Sequence, residues 1–208
     1  MILVEINEKA RGIRTLGQKI RCESQIHFAF YASSFTSERV IGEVELSSFQ
    51  MELRTPAGRF FLIATENGIR RASWESLEKI PVMSLADVSC ERAKHHLSQA
   101  SQQIFEYFSG ARKQFDLTLD IDGTDFQKRV WKELQRIPFG RTESYTEVAS
   151  RVGRPKAIRA VGSANRKNPV NLLVPCHRVI GKDGRLAGYA GGVNIKHCLL
   201  ELERLCRL

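Results

Sequence analysis

Two turn sequences interrupt residues 51–74 and limit what this part of the chain can fold into. The three segments are Met51–Arg54, Arg59–Thr65 and Ile69–Trp74, and the turns between them are Thr55-Pro-Ala-Gly58 and Glu66-Asn-Gly68. Asn67 and Gly68 both tolerate a positive φ, which a tight β-hairpin requires. The pattern therefore predicts a small antiparallel sheet of three strands.

A helix is predicted after this sheet. Apolar residues recur at helical spacing over Glu91–Phe108, and Gly110 marks the end of the helix. Residues 1–48 form a leader with no recognised motif, and its apolar stretch Gln25–Phe35 is a candidate strand that would complete the sheet. We therefore assign residues 1–118 to an N-terminal α+β domain.

Residues 119–208 are predicted to form a mainly helical C-terminal domain. Thr124-Asp-Phe-Gln127 has the capping-box pattern that starts a helix, and Pro138 ends that helix. Two further helices, Tyr145–Val152 and Lys156–Arg166, are separated by a glycine-containing turn. Such a pair is a helix-turn-helix, which occurs in DNA-binding proteins and also as a plain packing unit. The predicted fold class is α+β, with the helix-turn-helix in the second domain.

The net charge of +9 comes entirely from the last 85 residues. Residues 124–208 contain 17 Lys and Arg against 7 Asp and Glu, whereas residues 1–123 contain 15 against 16. Solvated surfaces usually mix both signs, so this one-signed excess favours a polyanionic partner such as nucleic acid. An anionic membrane surface would attract the same charges, and charge alone does not separate the two.

The sequence predicts no membrane-spanning segment, because no run of about 18 apolar residues is present. Glu5 and Glu8 stand where a signal peptide would have its apolar region. The five cysteines include no C-x-x-C pair, which indicates free thiols in a chain without a secretion signal. We expect an intracellular protein, in the cytoplasm of a prokaryote or the nucleus of a eukaryote.

The predicted helix Lys156–Arg166 has one face of small side chains. They are Ala157, Ala160, Gly162, Ser163 and Ala164. This face lets the helix lie close to another helix or against a groove of DNA. In the second case Arg159 would enter the base stack and fill the space left by an extruded base. A surface salt bridge is the alternative interpretation of this arginine.

Cys176 and His177 are adjacent and follow the apolar run Leu172–Val174. Only the thiolate of cysteine is a good nucleophile, and a base that a carboxylate orients can remove the thiol proton. His177 is the candidate base, and Glu203 in the predicted terminal helix Lys196–Arg204 is the candidate carboxylate. Zinc ligation and simple burial are the alternatives for the Cys-His pair, but the sequence has no further Cys or His at ligand spacing around it.

A resemblance to a known family rests on Pro175-Cys-His-Arg-Val179, with Asn168-Pro before it and Gly188-Tyr-Ala-Gly-Gly192 after it. This segment resembles the active-site signature of the O6-alkylguanine-DNA alkyltransferases. The resemblance covers residues 124–204 in specific motifs and residues 51–118 in layout. The other matching motifs are Phe126-Gln-Lys-Arg-Val-Trp131, Ile137-Pro-Phe-Gly140, Ser144-Tyr145, Arg154-Pro-Lys-Ala157, Arg159-Ala-Val-Gly162 and Leu199-Leu-Glu-Leu-Glu203.

The resemblance implies direct repair of DNA by a single-turnover alkyltransferase that needs no cofactor. Cys176 would take the alkyl group from O6 of guanine, or from O4 of thymine, and keep it as a thioether. His177 would act through a water as the base for the thiol, and Glu203 would orient His177. Asn168 would brace the active-site turn, and Tyr145 would protonate the leaving guanine at N3. The reaction requires proximity, a lowered thiol pKa and a protonated leaving group.

The resemblance also implies how the protein meets its partner, which is double-stranded DNA containing O6-alkylguanine. A monomer would approach from the minor groove, and Arg159 would replace the guanine that flips out. Val179 and Tyr189 would border the pocket that receives the base. Further DNA contacts are implied for Gln127, Tyr145, Thr146, Arg154 and Lys182.

A structural zinc ion is present in the N-terminal domain of some relatives of this kind. Thr65 and Arg70 stand at two of the corresponding ligand positions. Neither side chain is a usual zinc ligand, so the sequence predicts no metal. Cys22 and His27 are close in sequence but belong to the leader.

Three other functions compete with this interpretation. A non-enzymatic DNA-damage binder on the same scaffold would lack the acceptor cysteine, whereas Cys176 is present. A helix-turn-helix regulator that senses alkylation at Cys176 would carry a further DNA-binding domain, and the sequence has no recognised one. A cysteine hydrolase would need an oxyanion-hole loop, which is also not recognised.

Overall fold

The N-terminal part is an antiparallel sheet of three strands, β1 (Phe49–Thr55), β2 (Gly58–Thr65) and β3 (Gly68–Ser73), in the order β1-β2-β3. The structure is a computed structural model that describes residues 49–74, 91–186 and 188–207. The predicted three-stranded sheet is confirmed. The candidate strand Gln25–Phe35 lies outside the described residues.

The second hairpin turn depends on a glycine for two reasons. Asn67 and Gly68 both tolerate a positive φ, but only Gly68 adopts one, with a φ of 145°. A Cβ at this position would lie 2.6 Å from the carbonyl oxygen of Thr118, because residues 118–120 run beside β3. There the amide of Ile69 donates to Thr118 at 2.8 Å, and the amide of Asp120 donates to Ile69 at 3.0 Å.

The remaining elements are mostly helical. They are α1 (Glu91–Phe108), α2 (Asp125–Gln135), β4 (Glu143–Ser144), α3 (Tyr145–Arg151), α4 (Ile158–Arg166), β5 (Val179–Ile180) and α5 (Val193–Leu205). α1 packs on the sheet, and α3 and α4 form the predicted helix-turn-helix. The predicted capping box at Thr124 is present, and a second one starts α3 at Ser144.

Two predicted helix starts are displaced. α4 begins at Ile158 rather than Lys156, because the residues after Pro155 form a turn in which the Ala157 amide bonds to Arg154 at 2.8 Å. α5 begins at Val193, three residues before the predicted start, directly after a glycine with positive φ. The spacing of apolar residues alone does not locate such turns.

One continuous buried cluster extends through both halves of the chain. It includes Leu53 and Tyr107 from the first half and Trp131, Val174 and Leu199 from the second. α1 and the sheet therefore share a core with the helices that carry the candidate site. The division of the chain between residues 118 and 119 stays a prediction.

Asp120 connects the second hairpin to the chain that leads into α2. Its Oδ2 accepts from the Thr65 hydroxyl at 2.6 Å and from Nη1 of Arg70 at 3.2 Å. Among the described residues, no group of three His, Cys, Asp or Glu side chains is placed to hold a metal ion. The predicted absence of zinc stays a prediction, since Cys22 and His27 lie outside these residues.

None of the helices within the described ranges is long and apolar enough to cross a membrane.

Candidate active site

Cys176 is the first residue of a 3-10 turn, Cys176–Arg178, that follows Pro175. Its side chain is only 2 % exposed. The thiol donates a weak hydrogen bond to Oδ1 of Asn171, with a sulfur–oxygen distance of 3.4 Å. The candidate nucleophile thus lies inside the protein, and a substrate must enter a pocket to reach it.

The turn before Cys176 is held by the buried side chain of Asn168. Its amide donates to the carbonyl of Val174 at 2.9 Å, and its oxygen accepts from the amide of Val170 at 3.1 Å. Between these contacts Leu172 has a φ of 71°, a conformation that costs a non-glycine residue about 1–2 kcal/mol. Because the Asn168 bonds cross the turn, they offset this strain and fix the backbone that carries Cys176.

His177 and Glu203 form a fully buried pair, with Nε2 of His177 2.8 Å from Oε1 of Glu203. Burial lowers the pKa of His177, although Glu203 acts in the opposite direction, so the imidazole is neutral at rest. A neutral imidazole beside a carboxylate carries its proton on the facing nitrogen, and we assign that proton to Nε2. Nδ1 then presents a lone pair, and no described protein atom hydrogen-bonds to it.

Glu203 is ionised although it is buried. Burial raises the pKa of its carboxyl, but the hydrogen bond from His177 and the charge of Arg178 outweigh burial and hold the pKa at about 2. Its oxygens also accept from the Tyr107 hydroxyl and the Gly140 amide, both at 2.8 Å, and from Nη2 of Arg178 at 2.9 Å. Such a set of donors is what allows a charge to stay inside a protein.

The thiol of Cys176 is protonated at rest. Burial raises its pKa to about 11, although a hydrogen bond from Asn168 and the positive charge of Lys196 act in the opposite direction. The sequence-based requirement of a lowered thiol pKa is therefore wrong for the resting protein, because these two groups do not offset the burial of the sulfur. Alkylation of this thiol requires a base that takes its proton when a substrate is in place.

Lys196 is a buried cation to which the sequence analysis gave no role. It lies on α5 with a side chain that is 0 % exposed, and its Nζ donates to the carbonyl oxygen of Val179 at 2.6 Å. Burial lowers the pKa of Lys196 to about 8, although the nearby Cys176 acts in the opposite direction. The amine thereby orients the carbonyl of a residue predicted to border the substrate pocket.

Two tyrosines stand near the thiol. Tyr145 begins α3 and is half-buried; burial and the charge of the Cys176 thiolate raise the pKa of its phenol. Gly162 on α4 lies beside this ring, since a Cβ there would be 3.8 Å from Cε1 of Tyr145. The Tyr189 ring lies edge-on to the His177 ring with centroids 6.4 Å apart, and its pKa is raised by the same causes. Both phenols are therefore protonated at neutral pH.

The predicted DNA contacts lie on and around the helix-turn-helix. Arg159 is exposed in the first turn of α4, and no ion pair joins it to a residue that the structure describes. Arg154 is exposed in the preceding turn, and Thr146 and Lys182 line one shallow pocket beside β4 and β5. Gln127 caps α2, where its side chain accepts from the N-cap amide at 2.8 Å. The DNA contacts of these residues stay predictions.

Sequence reasoning missed three further side chains that contact the site. Trp74 donates to the Tyr189 oxygen, Tyr107 donates to Glu203, and Arg178 pairs with Glu203. These partners are 115, 96 and 25 residues apart in the chain. No local pattern indicates contacts at such separations, although Arg178 stands inside the Cys-His-Arg-Val motif.

Two family models match the chain. One, described as 6-O-methylguanine DNA methyltransferase, DNA binding domain, matches residues 125–205. The other, described as 6-O-methylguanine DNA methyltransferase, ribonuclease-like domain, matches residues 52–121. The two matches cover the helical part and the sheet in turn, so the fold is that of the 6-O-methylguanine DNA methyltransferases.

Similar proteins named methylated-DNA–protein-cysteine methyltransferase are found in several organisms. That of Methanosarcina barkeri is 44 % identical over 154 residues, 73 % of this chain and 94 % of the relative. That of Mycobacterium tuberculosis is 56 % identical over 107 residues, 51 % of this chain and 65 % of the relative. The chain therefore belongs to the methylated-DNA–protein-cysteine methyltransferase family.

A solved structure agrees with this assignment. The crystal structure of Mycobacterium tuberculosis OGT in complex with DNA matches at a TM-score of 0.66 and 42 % identity. The match covers 74 % of this chain and 92 % of that chain. The likeness thus includes both the sheet and the helical part.

Proposed function

We propose that the protein repairs DNA by transferring the alkyl group of O6-alkylguanine to Sγ of Cys176. The observation that carries the proposal is a buried thiol next to a His177–Glu203 pair, in a chain whose relatives are methylated-DNA–protein-cysteine methyltransferases. A thioether sulfur is a poor leaving group, so the protein is not regenerated and each molecule reacts once. O4-alkylthymine is a second substrate for the same chemistry.

The transfer can be written as one displacement with balanced protons. The thiol proton of Cys176 passes, through a water, to Nδ1 of His177, while Glu203 holds the proton on Nε2. The sulfur attacks the alkyl carbon, so that the carbon–sulfur bond forms as the carbon–O6 bond breaks. Tyr145 protonates the leaving guanine at N3, which therefore departs as a neutral molecule. The tyrosinate then regains the proton from the imidazolium through solvent.

The raised pKa of Cys176 suits an acceptor that is used once. A thiol with a pKa of about 11 is protonated at neutral pH and reacts slowly with incidental electrophiles. Only a lesion that fills the pocket places an alkyl carbon against the sulfur. Reactivity is thus coupled to substrate binding, and the turn that Asn168 braces keeps the sulfur in position for it.

The guanine would bind between Val179 and Tyr189 after flipping out of the duplex. The carbonyl of Val179 accepts from Lys196, and its second lone pair would accept from an amino group of the base. Extrusion is needed because O6 faces the major groove, whereas the proposed approach is from the minor groove.

Double-stranded DNA is the proposed partner of the helix-turn-helix. Arg159 would fill the space of the flipped base, and α4 suits a close approach because its face is small and no side chain caps its first turn. Arg154 and Lys182 would add positive charge beside the phosphates, and Thr146 and Gln127 would supply polar contacts. These contacts position the protein and read no base sequence.

We place the protein in the compartment that holds its DNA, which is the cytoplasm of a prokaryote or the nucleus of a eukaryote. A monomer suffices for the reaction, because the thiol, the base and the orienting carboxylate all belong to one chain.

The mass of the intact protein tests the proposal. After incubation with duplex DNA containing O6-methylguanine, we expect a gain of one methyl group, which peptide mapping assigns to Cys176. Cys176→Ser should gain nothing, and Cys198→Ser, which removes a half-buried thiol on α5, should gain the methyl group as the wild type does. The absence of a mass gain at equimolar DNA would refute the proposed function.

A further inference from the structure

The edge of β3 that faces away from β2 is hydrogen-bonded to residues 169–171, in the turn that precedes Cys176. The amide of Ala72 donates to the carbonyl of Pro169 at 3.0 Å, and the amide of Asn171 donates to Ala72 at 2.8 Å. Asn171 in turn accepts from the thiol of Cys176. The sheet of the N-terminal half is therefore hydrogen-bonded to the turn that carries the nucleophile. The residue that follows β3 contacts Tyr189 at the proposed pocket.

That residue is Trp74, whose indole is fixed on three sides. It is 8 % exposed, and its ring packs against Phe60 with centroids 4.5 Å apart. Its Nε1 donates a hydrogen bond of 2.9 Å to the phenol oxygen of Tyr189. A third neighbour is Gly191, where a Cβ would lie 2.6 Å from Cδ1 of the indole. The absence of a side chain at residue 191 is what allows this contact.

Tyr189 is the link between Trp74 and the reacting groups. Its ring stands edge-on to the ring of His177 with centroids 6.4 Å apart, and it lies close enough to Cys176 that a thiolate there raises the pKa of its phenol. The phenol oxygen accepts the bond from Trp74, so its direction is set from the N-terminal half of the chain. A ring held in this way cannot turn aside to admit a larger group.

We propose that Trp74 is a positioning residue that limits the size of the alkyl group the pocket accepts, by holding Tyr189 against the active-site turn through the indole hydrogen bond and the contact with Gly191. The inference rests on the proposed function, since it assumes transfer to Cys176. It makes a residue outside the helical half a determinant of substrate range.

The test compares two substrates in the full chain. Rate constants for alkyl transfer are measured in single-turnover experiments with duplex DNA containing O6-methylguanine and duplex DNA containing O6-benzylguanine. Trp74→Phe keeps a packed ring but removes the donor. We expect the benzyl-to-methyl ratio of rate constants to rise about fivefold, the size that loss of one neutral hydrogen bond predicts. A residue with only a structural role would lower both rate constants by the same factor.

Two controls separate positioning from stability. Leu97→Ala removes a buried apolar side chain of α1 from the same core cluster as Trp74, so it lowers stability while the indole hydrogen bond remains, and it should leave the ratio unchanged. Gly191→Ala pushes the indole away and should raise the ratio, but it should have no further effect in a protein that already carries Trp74→Ala. A circular dichroism melt confirms that each variant is folded.

The outcomes distinguish the two proposals. A ratio in Trp74→Phe that stays within about twofold of the wild type, or that falls, would overturn the role of Trp74 while leaving the transfer to Cys176 intact. A wild-type protein that takes no methyl group would instead refute the proposed function itself.

Discussion

Glu203 accepts more of the buried hydrogen bonds in the site than any other side chain that the structure describes. Removing a carboxylate from water costs several kcal/mol, and only a nearly complete set of donors offsets that cost. Here the donors come from Tyr107 on α1, Gly140 after α2, and Arg178 and His177 in the turn of the nucleophile. Glu203 therefore ties together three parts of the chain in addition to orienting His177.

The low pKa of Glu203 makes a prediction about stability. Its pKa falls from 4.5 to about 2 on folding. At pH values between these two, the unfolded chain therefore binds a proton that the folded protein does not. The stabilisation, about 3 kcal/mol, is fully present above pH 5 and is lost as the pH falls towards 2. We expect Glu203→Gln to be less stable than the wild type by at least this amount at pH 7, with the difference narrowing at low pH.

Urea denaturation at pH 7 and at pH 3.5 measures this effect. Glu201→Gln, at a half-exposed residue of α5 that pairs with Arg204 at the surface, is the matched control and should change the unfolding free energy little at either pH. A wild-type advantage over Glu203→Gln that is the same at both pH values would contradict the assigned ionisation of Glu203.

Local sequence supports only part of this arrangement. His177 follows Cys176 directly, and the terminal helix supplies Glu203, so the pairing of His177 with Glu203 was open to prediction. Lys196 was not, because a lysine on an amphipathic helix usually reaches solvent, and only the packing of α5 reveals that this one is buried. The raised pKa of the thiol was missed for the same reason, since it follows from burial in three dimensions.

Among the helices, α4 has the sequence that most directly indicates DNA binding. Its small face and its exposed Arg159 are both readable from the residue types. Its start after a turn, and the position of Gly162 beside Tyr145, depend on the way α3 and α4 pack together. The packing of α3 on α4 thus joins Arg159, which is proposed to replace the flipped base, and Tyr145, the proposed proton donor, in one helix-turn-helix unit.

Arg159→Ala tests that unit. We expect transfer from duplex DNA containing O6-methylguanine to slow about tenfold or more, because an empty stack favours return of the flipped base and extrusion costs a few kcal/mol. Transfer from free O6-benzylguanine, which needs no extrusion, should be unchanged. Arg92→Ala on α1 removes the same charge from an exposed position and should leave both rates near wild type. Equal slowing with both substrates would assign Arg159 a structural role instead.

The sequence did not predict that β3 is hydrogen-bonded to the turn before Cys176. The turn sequences predicted three strands, and the sheet has them. Nothing in those signals indicates that Ala72 bonds to Pro169 and Asn171, almost 100 residues further along. Contacts of this range are set by the closure of the whole fold.

At the scale of the molecule, charge and core divide the chain differently. The positive excess belongs to residues 124–208 alone, whereas the buried cluster runs through both halves. The proposed domain boundary between residues 118 and 119 therefore divides the sequence and its charge, whereas the two parts share one core. The site takes its proposed nucleophile, its proposed base and the helix proposed to face DNA from one side, and Trp74 and Tyr107 from the other.

The central claim is that Cys176 accepts one alkyl group and is then spent. The most direct test is a titration of the protein with an excess of duplex DNA that contains O6-methylguanine labelled in the methyl group. We predict that label in the protein saturates at one methyl group per molecule, that all of it lies on Cys176, and that repaired DNA never exceeds the amount of protein. Repair of several equivalents of DNA by one equivalent of protein, or saturating label on another residue, would contradict the account.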